Sequence, residues 1–141
     1  MQFLTVPGVL DSLDEIAKFC DSGHAGGWAR QKAAYRFRLA VDEIATNIIV
    51  HGYEETANEG DVTLQVELNE HTLTLILEDT AISYNPNQHD LPDQEDLNEP
   101  LEKRKIGGLG VYLAIQGVDK FMYERVGNRN RNIFVVNRPT D

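Results

Sequence analysis

Hydrophobic and polar positions change their period several times along the chain, and each period predicts an element. Phe37, Val41, Ile44, Ala45 and Ile48 fall on one stripe at helical spacing, which predicts an amphipathic helix. This central helix runs from Ala29 to about His51, with Gly52 placed to end it. Upstream, Val9, Leu13, Ile16, Ala17 and Cys20 recur at the same spacing and predict a first helix that stops near Gly23. Gln2–Val6 reads as a short strand closed by Pro7-Gly8. Val62, Leu64, Val66 and Leu68 alternate strictly, as do Leu73, Leu75 and Leu77. With Asn69-Glu70-His71 between them, they predict an antiparallel hairpin with one buried face. Val111–Val118 predicts a short helix, and Lys120–Val126 with Asn132–Val136 a second hairpin around Gly127–Arg131.

The stretch Ser83–Lys105 breaks the pattern. It is acidic, contains Pro86, Pro92 and Pro100, and has no useful period. A functional lid and a disordered acidic insertion both fit that composition. The order of strand, two helices, hairpin, irregular segment, helix and hairpin implies an α+β fold, a two-layer sandwich with helices over one sheet face.

Composition narrows the classes. With 141 residues the chain reads as a single domain over residues 1–141, and 41% hydrophobic with 26% charged residues fits a globular one. A formal net charge of -10 argues against nucleic acid as a partner. Cys20 is the only cysteine, so no internal disulfide forms, and its place on the apolar stripe of the first helix makes it a core residue. No apolar run reaches membrane-spanning length, and Met1–Gly8 lacks the features of a signal peptide. The expectation is a cytoplasmic protein without a membrane partner. Arg30, Lys32, Arg36 and Arg38 form a basic patch at the start of the central helix. A solvated face is its default reading and docking of an acidic partner the sharper one. Trp28, just before it, reads as a helix-capping hydrophobe.

Three places carry candidate chemistry. Glu43 and Asn47 are four residues apart and share a helical face. A carboxylate can accept a proton and an amide oxygen can ligate a hard cation such as Mg²⁺, although a surface pair on a core helix is the plainer reading. Asp79 ends the strand Leu73–Glu78, where a carboxylate can accept a hydrogen bond from an amino group. Gly107, Gly108 and Gly110 open a helix, where backbone N–H groups can meet phosphate oxygens, and Lys103, Arg104 and Lys105 stand just ahead of them.

The order of these features, E-x-x-x-N on a helix, a strand ending in Asp, a long irregular segment and G-G-x-G before a helix, resembles the GHKL ATPase/kinase superfamily. In detail it is similar to the anti-sigma regulatory factor branch, the RsbW-like serine/threonine protein kinases. The resemblance is carried by Leu39–Tyr53, Glu78–Pro86 and Leu101–Arg131. It implies a two-layer α/β sandwich of the histidine-kinase-like ATPase type, with a mixed, mainly antiparallel sheet and an ATP lid over residues 83–106. It also implies ATP and Mg²⁺ as cofactors: Asn47 as metal ligand, Glu43 as base, and Asp79 with Ala81 beside adenine. Gly107, Gly108, Leu109 and Gly110 would lie at the phosphates, with Arg104 or Lys105 as clamps. The implied partners are a sigma factor, an anti-anti-sigma antagonist that accepts the phosphoryl group, and a second copy in a homodimer. His51 would serve helix-end packing.

Two positions depart from the family pattern. Ala81 stands where the family has a glycine that leaves room beside adenine. Ile133 aligns with a threonine that helps hold the base, a loss worth roughly 1 kcal/mol or more where a buried group goes unpaired. These departures favour a second reading, a binding module of the same fold with weak or lost nucleotide binding. A third, the detached ATP-binding domain of a sensor histidine kinase, is disfavoured because no phosphoacceptor-bearing helix precedes the first strand.

Overall fold

The computed structural model describes residues 2–22, 31–82 and 115–138. Alternation does its expected work in the strands. In β2 (Asp61–Leu68) and β3 (Thr72–Asp79), Val62, Leu64, Val66, Leu73, Leu75 and Leu77 all turn to one buried face. Asn69 shapes the turn between them, its Oδ1 accepting the backbone N–H groups of His71 at 2.8 Å and Thr72 at 2.7 Å. β1 (Gln2–Pro7) adds on the outer side of β2.

The second hairpin is tighter than the sequence predicts. β4 (Lys120–Val126) and β5 (Arg129–Asn137) are joined across Gly127 and Asn128, with Val126 already opposite Arg129. Gly127 takes φ +61, a value that glycine adopts without a Cβ penalty. The expected turn at Gly127–Arg131 therefore gives way to strand from Arg129 onward, which brings Asn130 directly opposite Asp79. The sheet order is β1-β2-β3-β5-β4, and all four described pairings are antiparallel, in line with the mainly antiparallel sheet expected.

One face of this sheet carries the helices. A 3-10 turn at Leu10–Ser12 leads into α1 (Leu13–Ser22), which buries Ile16 and Cys20. Val9, expected on the same stripe, precedes the helix and is exposed. Burial pushes the Cys20 thiol up to about 12, so it stays protonated and serves as packing. α2 (Gln31–Asn47) buries the whole predicted stripe of Phe37, Val41, Ile44 and Ala45, and Ile48 continues it. Phe134 and Val136 of β5 close the core from the sheet side.

Gly52 does not end the central helix. After Asn47 the chain continues as a π-helical segment, Ile48–Glu54, and the Glu55 N–H bonds the Val50 carbonyl five residues back at 3.0 Å. Helical geometry is left only at Ala57, with φ 55. Of the predicted helix Val111–Val118, Ile115 and Gln116 are described and helical, while residues 111–114 lie outside the described residues.

The opposite sheet face carries an ion-pair row. Glu78 meets Arg129 at 3.0 Å and also pairs with Arg131, and Arg131 meets Glu124 at 2.7 Å. Among the described residues no helix is long and apolar enough to cross a membrane.

Candidate functional site

Asp79 is the last residue of β3 and is 2% exposed. Its Oδ1 accepts two hydrogen bonds, from the Ala81 N–H at 2.9 Å and from Asn130 Nδ2 at 2.8 Å. Its Oδ2 is buried and has no partner among the described residues. Burial raises the carboxyl above its ordinary 3.8, and the bonds from Asn130 and Ala81 and the Arg125 charge oppose that rise without cancelling it.

Two further buried side-chain atoms lack partners among the described residues, Asn47 Nδ2 and Asn132 Oδ1. Both residues line the same open cavity as Asp79. Helical residues Ile44, Asn47, Ile48, His51 and Gly52 form one wall. Asp79, Ala81 and Ile82 at the exit of β3, with Asn130 and Asn132 of β5, form the other. Of the polar residues in the lining, Asn47, Asp79 and Asn132 each keep one buried side-chain atom without a hydrogen-bond partner among the described residues. Folded proteins rarely leave such atoms bare, so the cavity fits a ligand that offers donors to two oxygens and an acceptor to one amide nitrogen.

The turn after β3 is fixed from both sides. Tyr53 at the end of the π segment accepts the Thr80 N–H at 3.0 Å and donates to the Asp61 carbonyl at 2.9 Å. Gly60 makes way for its ring, since a Cβ there would come within 2.7 Å. From the other side Asn130 Nδ2 reaches the Ala81 carbonyl at 3.2 Å and the Ile82 carbonyl at 2.9 Å. Ala81, whose methyl was expected to narrow the site, has that methyl against Gly52: a Cβ added at Gly52 would stand 2.8 Å from the Ala81 Cβ. The glycine inside the helical run supplies the space that position 81 does not.

The remaining expectations divide as follows. Asn47, Asp79 and Ala81 share the cavity, and Glu43 is half-buried one turn before Asn47 without lining it. Arg104, Lys105, Gly107, Gly108, Leu109 and Gly110 lie outside the described residues, as do the segment 83–106, Trp28 and Arg30. Ile133 is corrected: strict alternation turns it to the opposite sheet face, and its neighbour Asn132 is the one that reaches the cavity. His51, read as helix-end packing, lines the cavity while its Nδ1 lies 3.0 Å from Glu55. Sequence reasoning missed Asn130 and Asn132. Reading Gly127-Asn128 as a two-residue hairpin turn puts both on the inward face of β5. In the basic patch, Arg38 pairs with Asp21 at 3.2 Å, and Lys32 and Arg36 are exposed.

Residues 10–135 match the histidine kinase-like ATPase domain. The chain belongs to that family. Within this ATPase domain family, it is 32% identical over 77 residues to serine-protein kinase RsbW of Bacillus mycoides (strain KBAB4), an alignment covering 54% of this chain and 47% of that protein. The RsbW of Bacillus cereus (strain B4264) matches at the same identity and coverage. The chain thus spans about half the length of the curated relatives it matches. Among solved structures, the histidine kinase domain of the Erythrobacter litoralis EL346 blue-light activated histidine kinase superposes with TM-score 0.54 at 21% identity. That match covers 89% of this chain and 59% of that one. The Acinetobacter baumannii histidine kinase AdeS gives 0.52 at 11% identity, over 99% and 70% of the two chains. At such identities the likeness concerns the fold, an α+β sandwich with a five-stranded sheet.

Two outcomes follow for this ATPase domain. Gly52→Ala creates an overlap with Ala81 that costs about 1–3 kcal/mol, offset in part by alanine's better helix propensity of about 1 kcal/mol. Ala81→Gly should therefore destabilise the wild type yet stabilise the Gly52→Ala protein, read by urea denaturation of all four forms; additive effects would contradict the contact. For Asp79 the folded carboxyl binds its proton more tightly than the unfolded one. Its contribution to stability is full below 3.8 and lost as pH rises through the raised folded value. Asp79→Asn should melt above wild type at pH 7, with a margin that shrinks on acidification toward pH 4. A margin that widens on acidification would contradict the assignment.

Proposed function

We propose that the domain binds ATP with Mg²⁺ in this cavity and transfers the γ-phosphoryl group to a serine or threonine of an anti-anti-sigma antagonist. In the same reading it acts as an anti-sigma factor by partner switching, as a cytoplasmic homodimer of single-domain chains. The observation that carries the nucleotide part is that Asp79, Asn132 and Asn47 line one cavity and that Asp79 Oδ2, Asn132 Oδ1 and Asn47 Nδ2 are buried without a partner among the described residues. The two oxygens are acceptors suited to an exocyclic amino group such as that of adenine. The protein-kinase part rests on the family and on the similarity to RsbW.

Each residue then has a stated task. Asp79 accepts a hydrogen bond from the adenine amino group and so orients the base. Asn47 Nδ2 has no hydrogen-bond partner among the described residues, so the amide can turn its oxygen toward a cation without losing a described bond of that nitrogen. One neutral oxygen is a sufficient protein share for Mg²⁺ that is otherwise held by phosphates and water. Among the described residues no group of three His, Cys, Asp or Glu could hold a metal without them. When bound, Mg²⁺ would neutralise charge on the phosphates. Glu43 would take the proton of the attacking hydroxyl. Gly107, Gly108, Leu109 and Gly110 would offer backbone N–H groups to the phosphates, with Arg104 or Lys105 as charge partners.

A second reading is a sequestering module that transfers no phosphate, and it draws on Glu43 standing outside the cavity lining. Calorimetric titration of Mg²⁺-ATP separates the outcomes. The kinase reading expects saturable binding that weakens roughly tenfold or more in Asn47→Ala, and Glu43→Ala that binds ATP but fails to label a purified antagonist. No heat at millimolar ATP leaves the sequestering module, and unimpaired labelling by Glu43→Ala removes that residue from its role.

A further inference from the structure

Resting on the nucleotide reading above, we infer that Asn130 is the positioning residue that makes the cavity select a 6-amino purine, because it fixes the plane of the Asp79 carboxylate and so the direction of the oxygen left for the ligand.

The network determines the orientation of Asn130 without ambiguity. Its Oδ1 accepts from Arg125 NH1 at 3.1 Å and from the Tyr123 hydroxyl, both of which can donate there. Its Nδ2 must then be the atom that faces Asp79 Oδ1 and the carbonyls of Ala81 and Ile82, all acceptors. A flipped amide would set oxygen against three oxygens. Asn130 is 3% exposed, and its bonds to Asp79 and to the Ala81 carbonyl are buried.

Pairing across the sheet gives the row its rigidity. Asp79 stands opposite Asn130, and Asn130 opposite Arg125, on three adjacent strands. Arg125 NH1 also donates to the Ala81 carbonyl at 2.9 Å, so the strap after β3 is tied to β4 and β5 together. With both Oδ1 contacts made by protein donors, the carboxylate cannot rotate to offer that oxygen without breaking two bonds. Among the described residues only Oδ2 is left for a ligand, and its direction is set by Asn130 of β5 together with the Ala81 N–H after β3. An ionised carboxylate oxygen so placed rewards a ligand N–H and repels a ligand carbonyl oxygen. Adenine carries an amino group at position 6, whereas hypoxanthine carries an oxygen there. Asn132 Oδ1, two residues along the same strand and also unpartnered, adds a second acceptor of the same preference.

The test compares ATP with inosine triphosphate, both as Mg²⁺ complexes, by calorimetry on the full chain. Wild type should prefer ATP by roughly ten- to a hundredfold, the range of one hydrogen bond to a charged group. Asn130→Ala should lose most of that preference, with inosine triphosphate affinity nearly unchanged. A purely structural role would instead weaken both nucleotides alike or lower the melting temperature with the ratio intact, and a folded Asn130→Ala protein with the wild-type ratio overturns the inference while leaving the nucleotide reading in place. Where Asn130→Ala does not fold, Arg125→Met loosens Asn130 from the far side without touching its bond to Asp79. A smaller fall in the same ratio then supports the inference, and an unchanged ratio overturns it. Wild type that binds neither nucleotide overturns the nucleotide reading and this inference with it.

Discussion

A carboxylate buried at the end of a central strand, with one oxygen tied and the other bare, sets the terms for the rest of this structure. Asp79 could have been satisfied by water had β3 ended at the surface, but α2 and the π segment cover it and burial raises its proton affinity. Two donors on Oδ1 keep the group oriented, and nothing in the described protein reaches Oδ2. Such an arrangement works against stability and is retained at sites that need it. The Asn130 amide, the Arg125 guanidinium and the Tyr53 hydroxyl are the means by which the sheet and the helix end hold this unfavourable group still.

The helix wall is adapted to the same end. An α-helix carried straight past Asn47 would keep a 3.6-residue stripe, whereas the π segment Ile48–Glu54 widens the turn that carries His51 and Gly52 to the cavity. Gly52 then meets the Ala81 methyl, which lets the strap after β3 approach the helix closely. The Ala81 methyl is thus accommodated by the glycine it faces at position 52. Small residues on either side can provide the same clearance.

Period and burial made much of this fold legible in the sequence. The stripe Phe37 to Ile48 and the alternation in β2 and β3 follow directly from one-sided burial, and the structure buries those residues. Asp79 was readable because a polar residue ending an apolar strand calls for a partner. Asn130 was hidden by a turn placed three residues too long, and Ile133, taken from the family alignment, lies one residue from Asn132 on the other face of the strand. The π segment leaves no period of its own in seven residues, so Gly52 read as a terminator. Its actual use depends on Ala81, nearly thirty positions later, and contacts at that separation are set by tertiary packing.

The account turns on the location of the base. A crystal structure of the full chain with Mg²⁺ and a non-hydrolysable ATP analogue tests it most directly. The account predicts the purine between Ile48 and the β5 wall, its 6-amino nitrogen within hydrogen-bonding distance of Asp79 Oδ2, and Asn130 still on Oδ1. A nucleotide bound elsewhere, or a base in the cavity whose amino group turns away from Asp79, would contradict it.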